Sequence, residues 1–425
     1  MDFEPAVSPE IARQIKAVGS ADIMVAVPAY NSEQTISHVM KALAEGMSTF
    51  FADMKCVLFV CEGGSLDETK SVARMADLGL TVGKMIGTYR GEPGKGNALR
   101  AVFQSALALG VKGLALVDAD NRSMTPDWVN NLLYPVIREG YDYVTPSYRR
   151  YKYDGTITNT IVYPMTAALY GKRIRQPIGG DFGMSAKFID KMASTDVWDR
   201  FVGQFGVDIW MTITAITSGV KACQANLGAK VHNAKDPAFS LGPMYLQVLS
   251  TMFRSMNKFH DFWDGIDRSD EVPVKGTSAP WEPEPIPISV TRLVEEFNLG
   301  MAHFSSIYRE VLSEDSYRRL EQIAGSEVCQ PEGYCEFHME PDLWARIVYD
   351  LAVTFNCWTG NTHKLIDLST PLYFGNIASL ANRTVDLDYA SAERVFVDIV
   401  RAFENEKVYL TERWGKLGAG EICSM

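Results

Sequence analysis

The chain has 425 residues, 47% hydrophobic and 22% charged, with a formal net charge of −11. That length predicts two domains rather than one, with ample apolar material for a large core. The acidic balance excludes general nucleic-acid binding, which depends on basic surface that displaces counterions.

The first residues include Asp2 and Glu4 and lack a basic-then-apolar leader. Ile23 to Val27 reads as a buried strand ended by Pro28. A helix follows from Glu33 to Ala44, with Asn31 or Ser32 available as its cap. Cys56 to Val60 reads as a second strand, Asp67 to Ala76 as a helix, and Thr81 to Ile86 as a third strand. Ala98 to Leu109 is helical, and Gly113 to Val117 is a strand running into Asp118. Pro126 to Arg138 is helical with Thr125 as cap, and Tyr141 to Thr145 closes the series. Strand–helix alternation of this kind predicts an α/β fold on an open, largely parallel sheet, with ligands beyond the carboxyl ends of the strands.

Leu241 to His260 is helical in pattern, and a Pro-rich charged stretch from Gly265 to Pro287 reads as an extended connector or surface arm. Ser289 to Trp414 follows helical spacing, with Ala390 to Glu404 as a representative amphipathic segment. The division expected is a catalytic domain over 1–240, a connector over 241–288 and a helical domain over 289–425. Trp210, Phe253 and Trp263 read as core aromatics. Of the seven cysteines, Cys56, Cys61 and Cys223 sit in apolar stretches and read as buried free thiols. Cys329 and Cys335 share a loop without a second pair at zinc-finger spacing, so a reducing, cytoplasmic setting is expected. No apolar run approaches the roughly 20 residues that span a bilayer, so soluble substrates and no membrane partner are expected.

The chemistry concentrates at strand ends. Leu114 to Val117 delivers Asp118 and Asp120, one residue apart; if the strand persists, alternation sends both to the same side with Ala119 between them. Paired oxygen ligands suit a hard divalent cation bridging a diphosphate. Pro28-Ala29-Tyr30-Asn31-Ser32-Glu33 and Glu62-Gly63-Gly64-Ser65-Leu66-Asp67 follow the first two strands. Gly91 to Asn97 precedes a helix and offers Lys95 beside free N–H groups. Neither Walker spacing nor a G-x-G-x-x-G fingerprint is present.

In that order, the P-A-x-N-x-E opening, the acid of E-G-G-S-x-D and the D-A-D resemble the GT-A glycosyltransferases of the family-2-like superfamily. The resemblance implies a Rossmann-like sheet with helices on both faces, a UDP- or GDP-sugar donor and a divalent metal, Mg or Mn. It gives Ala29, Tyr30 and Glu33 to the nucleoside pocket, Glu62 to the base or ribose, Lys95 to the nucleotide and Asp120 to the metal. Pro28, Asp118, Ala119 and Gly180 border the donor on the same reading. Pro93 to Leu99, Gln176 to Asp181, Gly206 to Ile209 and Asn226 to His232 further resemble the glucosyl-3-phosphoglycerate, glucosylglycerate and mannosylglycerate synthases. That resemblance implies retaining transfer of glucose or mannose to a small anionic acceptor. In it His232 completes the metal ligands, Asp208 positions the sugar, Asp181 holds sugar hydroxyls, and Asn233 and Lys235 contact the acceptor. Asp181 stands where the related motif commonly has glutamate, and the segment between Tyr153 and Arg173 departs from the synthases' acceptor loop. Two other readings are a polyprenyl-phosphate sugar transferase and a non-catalytic sugar-nucleotide-binding scaffold. The amphipathic C-terminal half leads us to expect a homodimer.

Overall fold

The computed structural model describes residues 5–232, 242–279, 281–325, 328–329 and 335–418. The chain divides into two compact units that interleave in sequence. The first comprises Met1–Arg150, Ile174–Asn233 and Glu271–Glu284.

Its centre is an eight-stranded sheet: β1 (Ile23–Ala29), β2 (Cys56–Glu62), β3 (Val82–Thr88), β4 (Gly113–Leu116), β5 (Tyr143–Arg149), β6 (Phe182–Ser185), β7 (Ala222–Ala229) and β8 (Val274–Lys275). The order is β8-β7-β5-β6-β4-β1-β2-β3. Only β6 runs antiparallel to its neighbours, β4 and β5. Residues Ile23 to Val27 are fully buried, as a strand covered on both faces must be, which is why the run is apolar throughout rather than alternating.

Alternate residues of β1 serve two different helical layers. Ile23, Val25 and Val27 pack with Ile36, Val39 and Leu43 of α2 (Ile36–Phe50) and with Trp128 and Leu132 of α5 (Asp127–Glu139). Met24 and Ala26 pack with Leu99, Val102 and Phe103 of α4 (Lys95–Leu109), Phe188 of α7 (Ala186–Ser194) and Met211 of α8 (Val207–Thr217). Helices α1 (Pro9–Val18) and α3 (Thr69–Met75) complete the first half. Two expectations need correction. Pro28 lies inside β1, paired with Cys61; β4 pairs only with Ile23 to Ala26, so at Pro28 no β4 ladder bond needs the N–H that proline lacks. The first long helix starts at Ile36, with Thr35 rather than Asn31 or Ser32 before it.

The second unit comprises Tyr151–Arg173, Ala234–Asp270 and Pro285–Met425. It is helical: α6 (Tyr163–Tyr170), α9 (Gly242–Lys258), α10 (His260–Asp264), α11 (Val290–Val311), α12 (Glu314–Ile323), α13 (Pro341–Cys357), α14 (Thr362–Thr384), α15 (Tyr389–Asn405) and α16 (Lys407–Gly418). Every residue of α6 is buried, and Tyr163 and Ala167 meet Val400 of α15. The sequence division put 151–173 in the first domain; a helix without a polar face has to be enclosed, and here the second unit encloses it. Trp210, Phe253 and Trp263 are buried, as the sequence implied. So are the free thiols of Cys56, Cys61 and Cys223. Cys357, by contrast, is disulfide-bonded, so cysteine usage does not by itself assign a reducing compartment. Among the described residues no helix is long and apolar enough to cross a membrane.

Candidate active site

Parallel pairing puts the carboxyl ends of β1, β2, β4, β5 and β7 along one edge of the sheet. Because β6 is antiparallel and Phe182 pairs with Leu116, the residues just before β6, Gly180 and Asp181, arrive at that same edge. Lys95 opens α4 and Asp208 lies in the first turn of α8. These elements converge on five charged side chains.

Asp118 is at the centre. Its Oδ1 accepts from Lys95 Nζ at 3.0 Å and its Oδ2 from Lys230 Nζ at 2.9 Å. Lys95 also donates to Asp208 Oδ2 at 3.1 Å. Lys230, whose side chain is 3% exposed, donates in addition to Asp181 Oδ2 and to the Gly179 carbonyl, each at 2.9 Å. Asp181 is fully buried: its Oδ1 accepts the Asp118 backbone N–H at 2.8 Å, and Tyr148 donates its hydroxyl to Oδ2.

Three carboxylates thus share two ammonium groups, and the titration follows from that imbalance. Against burial, which by itself would raise it, Lys230 and Lys95 hold Asp118 well below the usual carboxylate range. Burial pushes Asp208 up, and burial with the neighbouring Asp118 charge pushes Asp181 up. Both lysines stay charged although burial disfavours it, because Asp118 faces each of them. The second oxygen of Asp208 is buried without a partner among the described residues. An orphaned buried acceptor of this kind is costly unless a ligand or water completes it.

Several sequence expectations are revised by these contacts. β4 ends at Leu116, so strand alternation does not govern the D-A-D, and its two acids part company. Asp118 turns into the charge cluster, whereas Asp120 is half-buried and makes no hydrogen bond or ion pair among the described residues. Between them Ala119 is buried, its carbonyl accepting the Thr35 hydroxyl at 2.7 Å. Asp181, expected to meet sugar hydroxyls, has both oxygens hydrogen-bonded inside the protein, to the Asp118 N–H, Tyr148 and Lys230.

Glu62, expected at the base or ribose, is 2% exposed and accepts from Ser65 N–H at 2.5 Å and from the Thr88 hydroxyl at 3.0 Å. It braces its own turn. Ala29 is buried with its carbonyl accepting Gly63 N–H, and Pro28 is half-buried. Tyr30 is 55% exposed, and Glu33 is exposed with one oxygen accepting Glu68 N–H at 3.0 Å.

His232 follows β7 in a segment laced to the loop after Asp120. Arg122 N–H donates to the Val231 carbonyl at 2.8 Å, and Val231 N–H to the Ser123 hydroxyl at 2.9 Å. The loops bearing Asp120 and His232 are therefore neighbours. Asn233 and Lys235 lie outside the described residues. Lys230 and Tyr148 are the functional residues that the sequence reading missed. Lys230 lies just beyond β7, where a lysine ordinarily reaches water, so no local signal singled it out.

Gly180 has φ +89°, and a Cβ there would stand 1.9 Å from Asp118 Oδ2. The missing side chain leaves clearance for that carboxylate. Gly180→Ala is expected to lower stability by about 1–3 kcal/mol, from backbone strain and displacement of Asp118. Urea unfolding checks this, and an unchanged midpoint would contradict the close approach.

Residues 24–195 match glycosyl transferase family 2. A 130-residue stretch, 30% of the chain, is 30% identical to an uncharacterized protein of Methanocaldococcus jannaschii. The match spans about half of that relative, 47% of its length. Among solved structures, the chain is similar to glucosyl-3-phosphoglycerate synthase from Mycobacterium tuberculosis. In complex with phosphoglyceric acid, that structure is 22% identical, covering 60% of this chain and 85% of the other at a TM-score of 0.45. In complex with Mg2+ and uridine diphosphate, the values are 25%, 59%, 84% and 0.46. The mainly parallel sheet with helices on both faces has the GT-A, Rossmann-like fold, followed by a helical C-terminal region, as the sequence led us to expect.

Proposed function

We propose that the chain is a retaining glycosyltransferase that moves glucose or mannose from a UDP- or GDP-sugar to a small anionic acceptor such as glycerate or 3-phosphoglycerate. The observation that carries this reading is the buried Lys95–Asp118–Asp208 cluster at the carboxyl edge of a family 2 glycosyl transferase domain.

Lys95 has three N–H donors and spends two on Asp118 and Asp208; the third is available to a diphosphate oxygen. The orphaned oxygen of Asp208 is suited to accept a hydroxyl of the transferred sugar. Asp118 keeps Lys95 charged and in place, and Lys230 with Asp181 keeps Asp118 in place. The residues present fit a divalent ion carried mainly by the substrate: Asp120 has an uncommitted carboxylate, and the adjacent loop carries His232. Magnesium in particular is commonly held by one or two protein groups plus phosphate oxygens and water. When bound, such an ion withdraws charge from the departing diphosphate. Glycerate and 3-phosphoglycerate are chosen on the motif resemblance from Pro93 to His232, and Asn233 and Lys235 remain the proposed acceptor contacts.

The test is a donor-by-acceptor screen with Mg2+ and Mn2+, using UDP- and GDP-linked glucose and mannose. Proton NMR of the anomeric position then reads the product. The expected result is metal-dependent transfer to an anionic acceptor with the donor's configuration kept. Transfer only to neutral or lipid-linked acceptors, or donor binding without turnover, overturns the reading.

A further inference from the structure

The stretch expected to be a connector does something more specific. Its first part is rooted in the first unit. Val274 and Lys275 pair with Gln224 and Ala225 of β7, the Asn131 side chain donates to the Thr277 carbonyl at 3.0 Å, and Ser278 donates to Asn226 Oδ1 at 2.8 Å. Its tip, Trp281-Glu282-Pro283-Glu284, has no such anchor. Glu282 pairs with Arg149 and Glu284 with Arg122, each at 2.5 Å. Those are the only ion pairs or hydrogen bonds that either glutamate makes among the described residues. The glutamates are 67% and 62% exposed, the arginines 32% and 42%. Pairs this open to solvent are weak and readily exchanged.

The arginines, by contrast, are fixed at the site. The Arg149 carbonyl accepts Lys230 N–H at 3.3 Å, and Arg122 N–H donates to the Val231 carbonyl at 2.8 Å. The two residues are therefore both held against the Lys230–Val231 backbone. Glu282 and Glu284 are two positions apart with Pro283 between them, and each carboxylate meets one of the two arginines. We infer that Arg122 and Arg149 are the recognition pair for the acceptor's carboxylate or phosphate, and that Glu282 and Glu284 occupy it as built-in stand-ins which an anionic acceptor displaces. Trp281, 63% exposed at the tip, moves with the glutamates and reports the displacement.

The inference rests on the proposed transfer to an anionic acceptor, and its test needs no turnover. Calorimetry on the full chain measures binding of 3-phosphoglycerate, with glycerol as the neutral control, in wild type, Glu282→Gln/Glu284→Gln and Arg122→Gln/Arg149→Gln. Removing the two glutamate charges is expected to tighten 3-phosphoglycerate binding roughly 5- to 10-fold, and removing the arginines to weaken it by at least about 10-fold. Glycerol is expected to respond to neither change. Equal 3-phosphoglycerate affinities in all three proteins, or no binding in any, overturn the inference. UDP and GDP binding, titrated in the same samples, judges the donor reading separately. Loss of nucleotide binding with the anion pattern intact would discard the transferase and leave the arginine pair standing.

Discussion

Lys230→Met is expected to destabilise the protein by about 3–5 kcal/mol, the usual consequence of removing one partner from a buried ion pair. Among the described residues Lys230 is the sole cation that touches both Asp118 and Asp181, and Asp181 has no exposed surface through which water could replace it. The same substitution is expected to lower kcat by about 100-fold or more, because Asp118 loses the group that fixes its second oxygen and Lys95 shifts with it. A pH signature separates this account from generic core damage. In the variant, Asp181 lies beside Asp118 with no ammonium between them, so its folded-state pKa rises further above the unfolded one. A carboxyl raised in this way contributes stability that is complete below the ordinary carboxylate range and is lost as pH rises through the folded value. The deficit relative to wild type should therefore be larger near about pH 8 than near about pH 5. Urea titrations at both values decide it, and a pH-independent deficit would show that charge is not what Lys230 supplies.

The parallel series was legible because strands buried on both faces have to be continuous apolar runs. Ile23 to Val27, Cys56 to Val60 and Gly113 to Val117 announce themselves within a residue or two of their observed ends. β6 was not legible. Phe182-Gly183-Met184-Ser185 is only four residues long; Gly179-Gly180 marks a turn before it, but its direction is set by tertiary pairing with Leu116 and Met184's partner Tyr143. That one antiparallel strand brings Asp181 next to Asp118, so the heart of the site could not be assembled from local pattern. The acidic motifs drew attention correctly, yet sequence cannot say which carboxylate faces inward. Glu62 and Asp181 look like ligand contacts at strand ends, and in the fold both are held by internal hydrogen bonds. Asp118 and Asp120 look equivalent and are not. Lys230 was overlooked for the opposite reason, since a lysine beyond a strand end ordinarily snorkels to water. Nothing in its neighbours Ala229 and Val231 signals two acids waiting from distant segments.

Asp120→Ala is expected to abolish metal-dependent transfer, lowering kcat by about 1,000-fold or more, while changing stability by less than about 0.5 kcal/mol. The second half of that prediction comes directly from the contacts: the Asp120 carboxylate holds no described residue in place, so its removal leaves no partner unpaired. The first half comes from chemistry. Asp120 is uncommitted among the described residues and stands beside the proposed diphosphate site, where the hard-oxygen preference of Mg2+ and Mn2+ makes a cation its natural ligand. Asp118→Ala cannot serve as the test, because it would break the Lys95 and Lys230 contacts and confound lost chemistry with lost structure. With Asp120→Ala the two separate. Thermal unfolding should superimpose on wild type, while UDP and GDP titrated with and without Mn2+ should bind equally well, the metal's contribution having vanished. Full activity in the variant, or a Mn2+ enhancement of nucleotide binding as large as in wild type, would move the cation elsewhere and leave Lys95 as the chief positive charge facing the donor.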